Sequence, residues 1–276
     1  MGPGYIRCSA RYATAAPRWA RATMVAMLLC LGISTAAWGN GEAEVIHRLD
    51  FTQPSSGDAA AWLREQGFEL RMSASELSPR FTERGLVLST DEAITGLFAR
   101  ELKLPAAERV RITWGVDRYP EGANWEKGVY RVPIAVMISF GDKEIGSGSL
   151  FVPNIPYFIG LFLSDEAKPG KAYTANYYHK GGRYLCKPCL TEPGQTVTTT
   201  LDLDESFQRF FDGPARTPPV SGLSFQMNTD DTRGGAQAFI TSIEFLADTE
   251  KRPRPGLARP VFQPRVLQHE AFAVHD

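Results

Sequence analysis

The feature that most constrains this chain is a two-residue apolar rhythm. Val110, Ile112, Trp114 and Val116 share one side of a predicted strand, with Arg109, Arg111 and Thr113 on the other. Val132, Ile134, Val136, Ile138 and Phe140 repeat the pattern, as do Leu223, Phe225 and Met227, and then Phe239, Ile243 and Phe245. Successive strand side chains point to opposite faces, so this period means sheets with one dry face and one wet face. Further strands are predicted at 68–72, 86–89, 96–104, 149–152, 157–163, 172–178 and 197–203. Two short helices interrupt them. One spans 58–66, with Ser55 or Ser56 as its cap and Gly67 as its stop; the other spans 204–211, opens with acids that suit a positive helix end, and stops at Gly213-Pro214. The predicted architecture is mainly β: a two-sheet antiparallel β-sandwich of jelly-roll type with two short helices, occupying residues 40–248.

The flanks differ in kind. Residues 1–39 carry Arg7, Arg11, Arg18 and Arg21, then the apolar run from Met24 to Ile33, then small residues leading to Ala37-Trp38-Gly39. Charged start, short apolar centre and small-residue exit predict a cleaved signal peptide, and hence an exported protein of the periplasm or the extracellular space. A permanent anchor would need roughly 20 apolar residues, more than are available before Glu42. After Asp248, Arg252, Arg254, Arg259 and Arg265 alternate with Pro253, Pro255, Pro260 and Pro264, which predicts an extended Pro/Arg-rich tail over 249–276. Without the leader the chain has 26 basic residues against 31 acidic ones, a net of −5, because the 30 Lys+Arg lose four and the 31 Asp+Glu lose none. That balance gives no reason to expect a nucleic-acid partner.

Three segments carry a family resemblance. They are Trp114-Gly-Val-Asp-Arg-Tyr-Pro120 with Gly122-Ala-Asn124, Leu203 to Phe211, and Ser221 to Thr232 followed by Ala238 to Phe245. Together they resemble the exported bacterial family called domain of unknown function 3047, over about Leu49 to Leu246. The resemblance implies an exported β-sandwich, similar to carbohydrate-binding jelly rolls, with no established activity. It tends to place paired Asp just before the strand that begins here near Tyr130, where this chain has Glu126-Lys-Gly-Val129 instead.

Candidate sites come from residue chemistry. Trp125, Tyr173, Tyr177, Tyr178, Arg183 and Tyr184, with His179 nearby, make an aromatic and polar set whose rings suit stacking on sugars, against the plainer reading of half-buried packing. Cys186 and Cys189 are the cysteines left after leader removal. An oxidising compartment favours their pairing as a structural disulfide that pinches a turn; redox and metal roles are the alternatives. Asn228, Asp230 and Asp231 are hard-oxygen donors in a polar loop, so Ca²⁺ is weighed there against an ordinary Asx-type turn, with Arg233 opposing a cation. No catalytic set is identified: the chain lacks a Gly-x-Ser-x-Gly elbow, a Walker loop, a His-Glu-x-x-His pair and a dinucleotide fingerprint. The favoured function is a non-catalytic binding module for a glycan or envelope component. The alternatives are a protein-interaction module of the cell envelope and a hydrolase using Asp and Glu.

Overall fold

The computed structural model describes residues 43–54 and 57–248. The predicted signal peptide at 1–39, the Ser55-Ser56 cap and the Pro/Arg-rich tail at 249–276 lie outside the described residues. Thirteen strands are described: β1 (Glu44–Asp50), β2 (Glu69–Met72), β3 (Arg80–Thr82), β4 (Gly85–Thr90), β5 (Thr95–Leu104), β6 (Arg109–Arg118), β7 (Val132–Ile145), β8 (Ile155–Ser164), β9 (Ala172–Tyr173), β10 (Gly182–Cys189), β11 (Thr196–Asp202), β12 (Val220–Asn228) and β13 (Ala236–Ala247). The helices are α1 (Ala59–Glu65) and α2 (Leu203–Phe210). Asp58 caps α1, its carboxylate accepting from the Ala60 and Ala61 amides at 2.9 and 3.2 Å, and Gly67 at φ +83° turns the chain away. Asp202 caps α2 in the same way, accepting from the Glu205 amide at 2.8 Å.

The strands form two sheets. The first runs β11-β6-β13-β4-β3, with β1 also paired to β13; the second runs β2-β5-β12-β7-β8-β10-β9. The chain crosses repeatedly from one sheet to the other, as at β5 to β6, β6 to β7, β11 to β12 and β12 to β13. This is the two-sheet, antiparallel, jelly-roll type of sandwich that the alternation implied. One pair departs from it: β10 runs parallel to β8.

Inward residues of both sheets make the core. Val110, Ile112, Trp114 and Val116 of β6 meet Ile134, Val136, Ile138 and Phe140 of β7 and Leu223, Phe225 and Met227 of β12, all buried. The phase of β13 differs from expectation. A bulge between Ile240 and Ser242 puts Ala238 and Ile240 on the inner face with Ile243 and Phe245. Phe239 therefore faces outward, and the Arg84 guanidinium lies 4.2 Å from its ring centre.

Three other segments depart from the sequence-based expectation. Residues 149–152 form a loop rather than a strand, and of 172–178 only Ala172–Tyr173 is extended. Cys186 and Cys189 are joined by a disulfide, with Cα atoms 5.2 Å apart. They lie within β10 instead of closing a turn. Cys186 faces Phe162 and Cys189 faces Ser164, so three steps of β10 oppose two of β8 and the bridge spans a bulge.

Candidate functional site

Strands β7 and β8 sit in the middle of the second sheet and are apolar on both faces. Their outward residues Ala135, Met137, Phe158 and Phe162 are buried, together with Cys186 of β10. Something must cover that outer face, and two loops do. The loop before β7 forms a short 3₁₀ turn, Trp125–Lys127, capped by the Asn124 side chain accepting from the Lys127 amide at 3.0 Å. It lays the Trp125 ring on Phe162, centroids 4.3 Å apart and nearly parallel, with Tyr130, Tyr173 and Tyr184 at 5.1, 5.5 and 5.2 Å. Gly160 makes room beneath: a Cβ there would come within 2.7 Å of the Tyr184 ring.

The covering loops are fastened by Glu126. Its carboxylate accepts from the Tyr173 hydroxyl at 2.7 Å and from Lys171 Nζ at 2.9 Å, with Lys168 Nζ at 3.3 Å. The Asn124 amide also donates to Glu166. The Tyr173 bond and the two ammonium groups hold the Glu126 carboxyl down to about 2. Burial, and then Glu126, push the Tyr173 hydroxyl up. Burial likewise raises Tyr184.

The sequence-derived aromatic set is thereby divided. Trp125, Tyr173 and Tyr184 are brought together, but as the interior of the outer cluster: Trp125 is 5% exposed and donates its indole N–H to the Arg131 carbonyl at 3.0 Å. Tyr178 joins them at the edge, packed on Phe158 at 5.7 Å. Tyr177 is the ring left facing water, 46% exposed. Arg183 points away from Tyr184, as strand alternation demands. It lies 5.3 Å from the centre of the Phe211 ring, and its Nη1 donates to the His179 carbonyl at 2.7 Å. Burial lowers Arg183 and Asp212 acts against that.

The polar loop between β12 and β13 is tied by its own side chains. The Asp230 amide donates to Asn228 Oδ1 at 3.1 Å, and Thr95 Oγ1 donates to Asp230 Oδ2 at 2.6 Å. Arg131 donates to the Asp230 carbonyl at 2.6 Å and pairs with the Asp231 carboxylate. A guanidinium therefore stands where a Ca²⁺ would need those oxygens, and the geometry is that of a hydrogen-bonded turn. Among the described residues no group of three or more His, Cys, Asp or Glu is placed to hold a metal ion.

Sequence reasoning missed a groove at the end of the sandwich. Gly141, Asp142 and Lys143 of β7 form one wall, and Asp212, Gly213, Pro214 and Pro218, between α2 and β12, form the other. Phe140 and Tyr157 line it as well, around a volume of about 330 Å³. The walls are pinned where the Gly141 amide donates to the Pro219 carbonyl at 2.8 Å. Gly141 sits at φ +68°, and a Cβ there would approach Pro218 Cβ to 3.0 Å. Tyr157 is held from behind by Phe207 and Phe211, at 5.4 and 5.1 Å. Gly213-Pro214 reads in sequence as a helix stop; its meeting with β7 is a long-range contact that no local pattern encodes.

No family model and no curated protein matches the chain in sequence. Solved structures of similar fold include a carbohydrate-binding module, TmCBM61 in complex with beta-1,4-galactotriose, at 9% identity and TM-score 0.30, covering 72% of this chain and 99% of that one. The potassium-bound carbohydrate recognition domain of Emp46p is 13% identical with TM-score 0.39, covering 72% and 95%. The exoplasmic/lumenal domain of VIP36, in its Ca²⁺/Man3GlcNAc-bound form, is 10% identical with TM-score 0.35, covering 68% and 86%. Among the described residues no helix is long and apolar enough to cross a membrane.

Proposed function

We propose that this chain is an exported, non-catalytic glycan-binding module of the family its sequence resembles, and that the sugar sits in the groove between β7 and the segment linking α2 to β12. One observation carries the reading: a groove lined both by the apolar surfaces of Tyr157, Pro214 and Pro218 and by the exposed polar residues Asp142, Lys143 and Asp212. Sugars present apolar C–H faces edged by hydroxyls, and that mixed lining supplies both kinds of contact. About 330 Å³ lies at the small end of ligand sites, which suits a few sugar rings of a longer chain passing through.

A glycan array on the purified protein tests this first, with titration of any sugar found following it. Lys143→Ala and Asp212→Ala should each weaken binding roughly tenfold, about 1.4 kcal/mol. Binding that is untouched by both and lost in Tyr177→Ala would move the site out of the groove. An array on which nothing binds would end the proposal.

A second reading rests on a specific placement: two carboxylates, Asp142 and Asp212, line one groove, as glycoside cleavage requires. Both are exposed, whereas a glycosidase acid works from a water-poor cleft. Release of reducing sugar that disappears in Asp142→Asn would establish cleavage in place of binding alone.

A further inference from the structure

Between β7 and β8 the chain makes a loop whose apex is Leu150-Phe151, 99% and 95% exposed. Single exposed apolar residues are ordinary on protein surfaces, but two adjacent large ones at a protruding apex are not. The apex is also built. Ser147, buried at the loop base, places its Oγ 2.6 Å from the Val152 carbonyl and accepts from the Ser149 amide at 3.2 Å. The Asn154 side chain accepts from the Ser147 amide at 3.1 Å, and the Phe151 amide donates to Ser149 Oγ at 3.1 Å. The neighbouring turn braces the loop from the side: the Tyr178 amide donates to the Ser147 carbonyl at 2.9 Å, and the Tyr178 hydroxyl to the Pro153 carbonyl at 2.8 Å. That turn adds exposed Tyr177, His179 and Lys180 beside the apex.

We infer that Leu150 and Phe151 form a wedge that inserts into the interfacial region of a lipid bilayer. The shape selects the partner. A stable protein interface buries about 800 Å² on each side, which two side chains cannot supply, and a convex apex would need a matching hollow. A bilayer needs no matching hollow, because its acyl boundary deforms around any apolar protrusion. An aliphatic and an aromatic tip with tyrosine and lysine at its shoulder has the composition of interfacial anchors. The attachment is weak and reversible, since two side chains bury less than a single acyl chain does. Tyr157 in the groove lies six residues from Phe151, at most about 22 Å along an extended chain, so a docked module would hold its groove close to the headgroups. The inference stands apart from the glycan reading: either can fail alone.

The test is sedimentation of the purified full chain with large vesicles of mixed phosphatidylcholine and phosphatidylglycerol, beside Leu150→Ser/Phe151→Ser. The two proteins share every other segment, so the difference between them reports the apex alone. Both side chains already face water, so folding should be unchanged, which thermal melts of the two proteins check. Vesicle partitioning should fall at least tenfold in the double variant, and about tenfold is what loss of one buried large apolar side chain entails. Phe151→Trp should restore most of the binding to a chain carrying the native Leu150. Equal sedimentation of wild type and double variant would overturn the inference. So would a concentration-dependent dimer of the wild type that the double variant abolishes, because the apex would then serve a second copy.

Discussion

Two apolar regions of this molecule are built on different rules. The region between the sheets is assembled mainly by strands, joined by Leu63 of α1 and Phe207 of α2: β6, β7, β12 and β13 each deliver alternate apolar side chains inward. The region outside the second sheet is assembled largely by rings, and three of the seven arrive on loops: Trp125 and Tyr130 precede β7, and Tyr178 precedes β10. Its rings carry polar ends, and those ends hold the cover in place. Trp125 donates to the Arg131 carbonyl, Tyr173 to Glu126 and Tyr178 to the Pro153 carbonyl. An inner core made this way is inseparable from the sandwich. An outer one fastened by side-chain hydrogen bonds is expected to open locally, through its loops, before the sandwich unfolds.

Trp114→Ala should be the largest of the effects that probe this difference. The ring is fully buried and its indole N–H reaches Thr199 Oγ1 at 3.0 Å, so removal leaves both a cavity and a hydroxyl that has lost a partner. A loss of about 3–5 kcal/mol by urea unfolding is expected, with no folded protein recovered if the starting stability is low.

Trp125→Ala removes a ring of the same size from the outer layer and should cost less, about 2–3 kcal/mol, because the covering loop can settle onto Phe162. Protease cleavage near 120–130 and 165–173 should appear well below the unfolding transition, while binding in the groove persists. Equal destabilisation by Trp114→Ala and Trp125→Ala, without early cleavage, would show one cooperative core and dissolve the distinction.

How much of this was legible in the chain follows the same division. Alternation located β6, β7 and β12, because period-two burial is local, and the stops at Gly67 and Gly213-Pro214 located both helices, although the caps proved to be Asp58 and Asp202. In β13 it placed Ile243 and Phe245 correctly but not Phe239, because the bulge between Ile240 and Ser242 offsets the two halves of the strand and Phe239 ends against Arg84. It passed over β10, since Cys186-Lys-Pro-Cys189 carries a turn's residues while lying against β8 in a parallel pair. The tyrosines near Trp125 were picked out as a group. Whether such rings face water or one another depends on Glu126 finding Lys168, Lys171 and Tyr173 across more than forty residues, and spacing does not contain that. The groove was illegible for the same reason.

The smallest effect should come from the fastening itself. The Glu126 carboxyl is held at about 2 in the folded chain against an ordinary 4.5, so the folded state favours its charged form. A carboxyl lowered on folding adds stability that is fully present above its unfolded value and is lost as pH falls toward the folded one. The contribution therefore persists from neutral pH down to about 4.5 and drains away between there and about 2. The partners Lys168 and Lys171 reach it from the surface, so the pairs are screened by salt and the effect is modest. In Glu126→Gln the loop cleavage described for Trp125→Ala should be detectable near neutral pH at low salt, and should change little on acidification to pH 3, where the wild type begins to show it. Identical cleavage of both proteins across that range would mean that ring stacking on Phe162 holds the cover unaided, and the outer layer would then be governed by the same packing rule as the inner one.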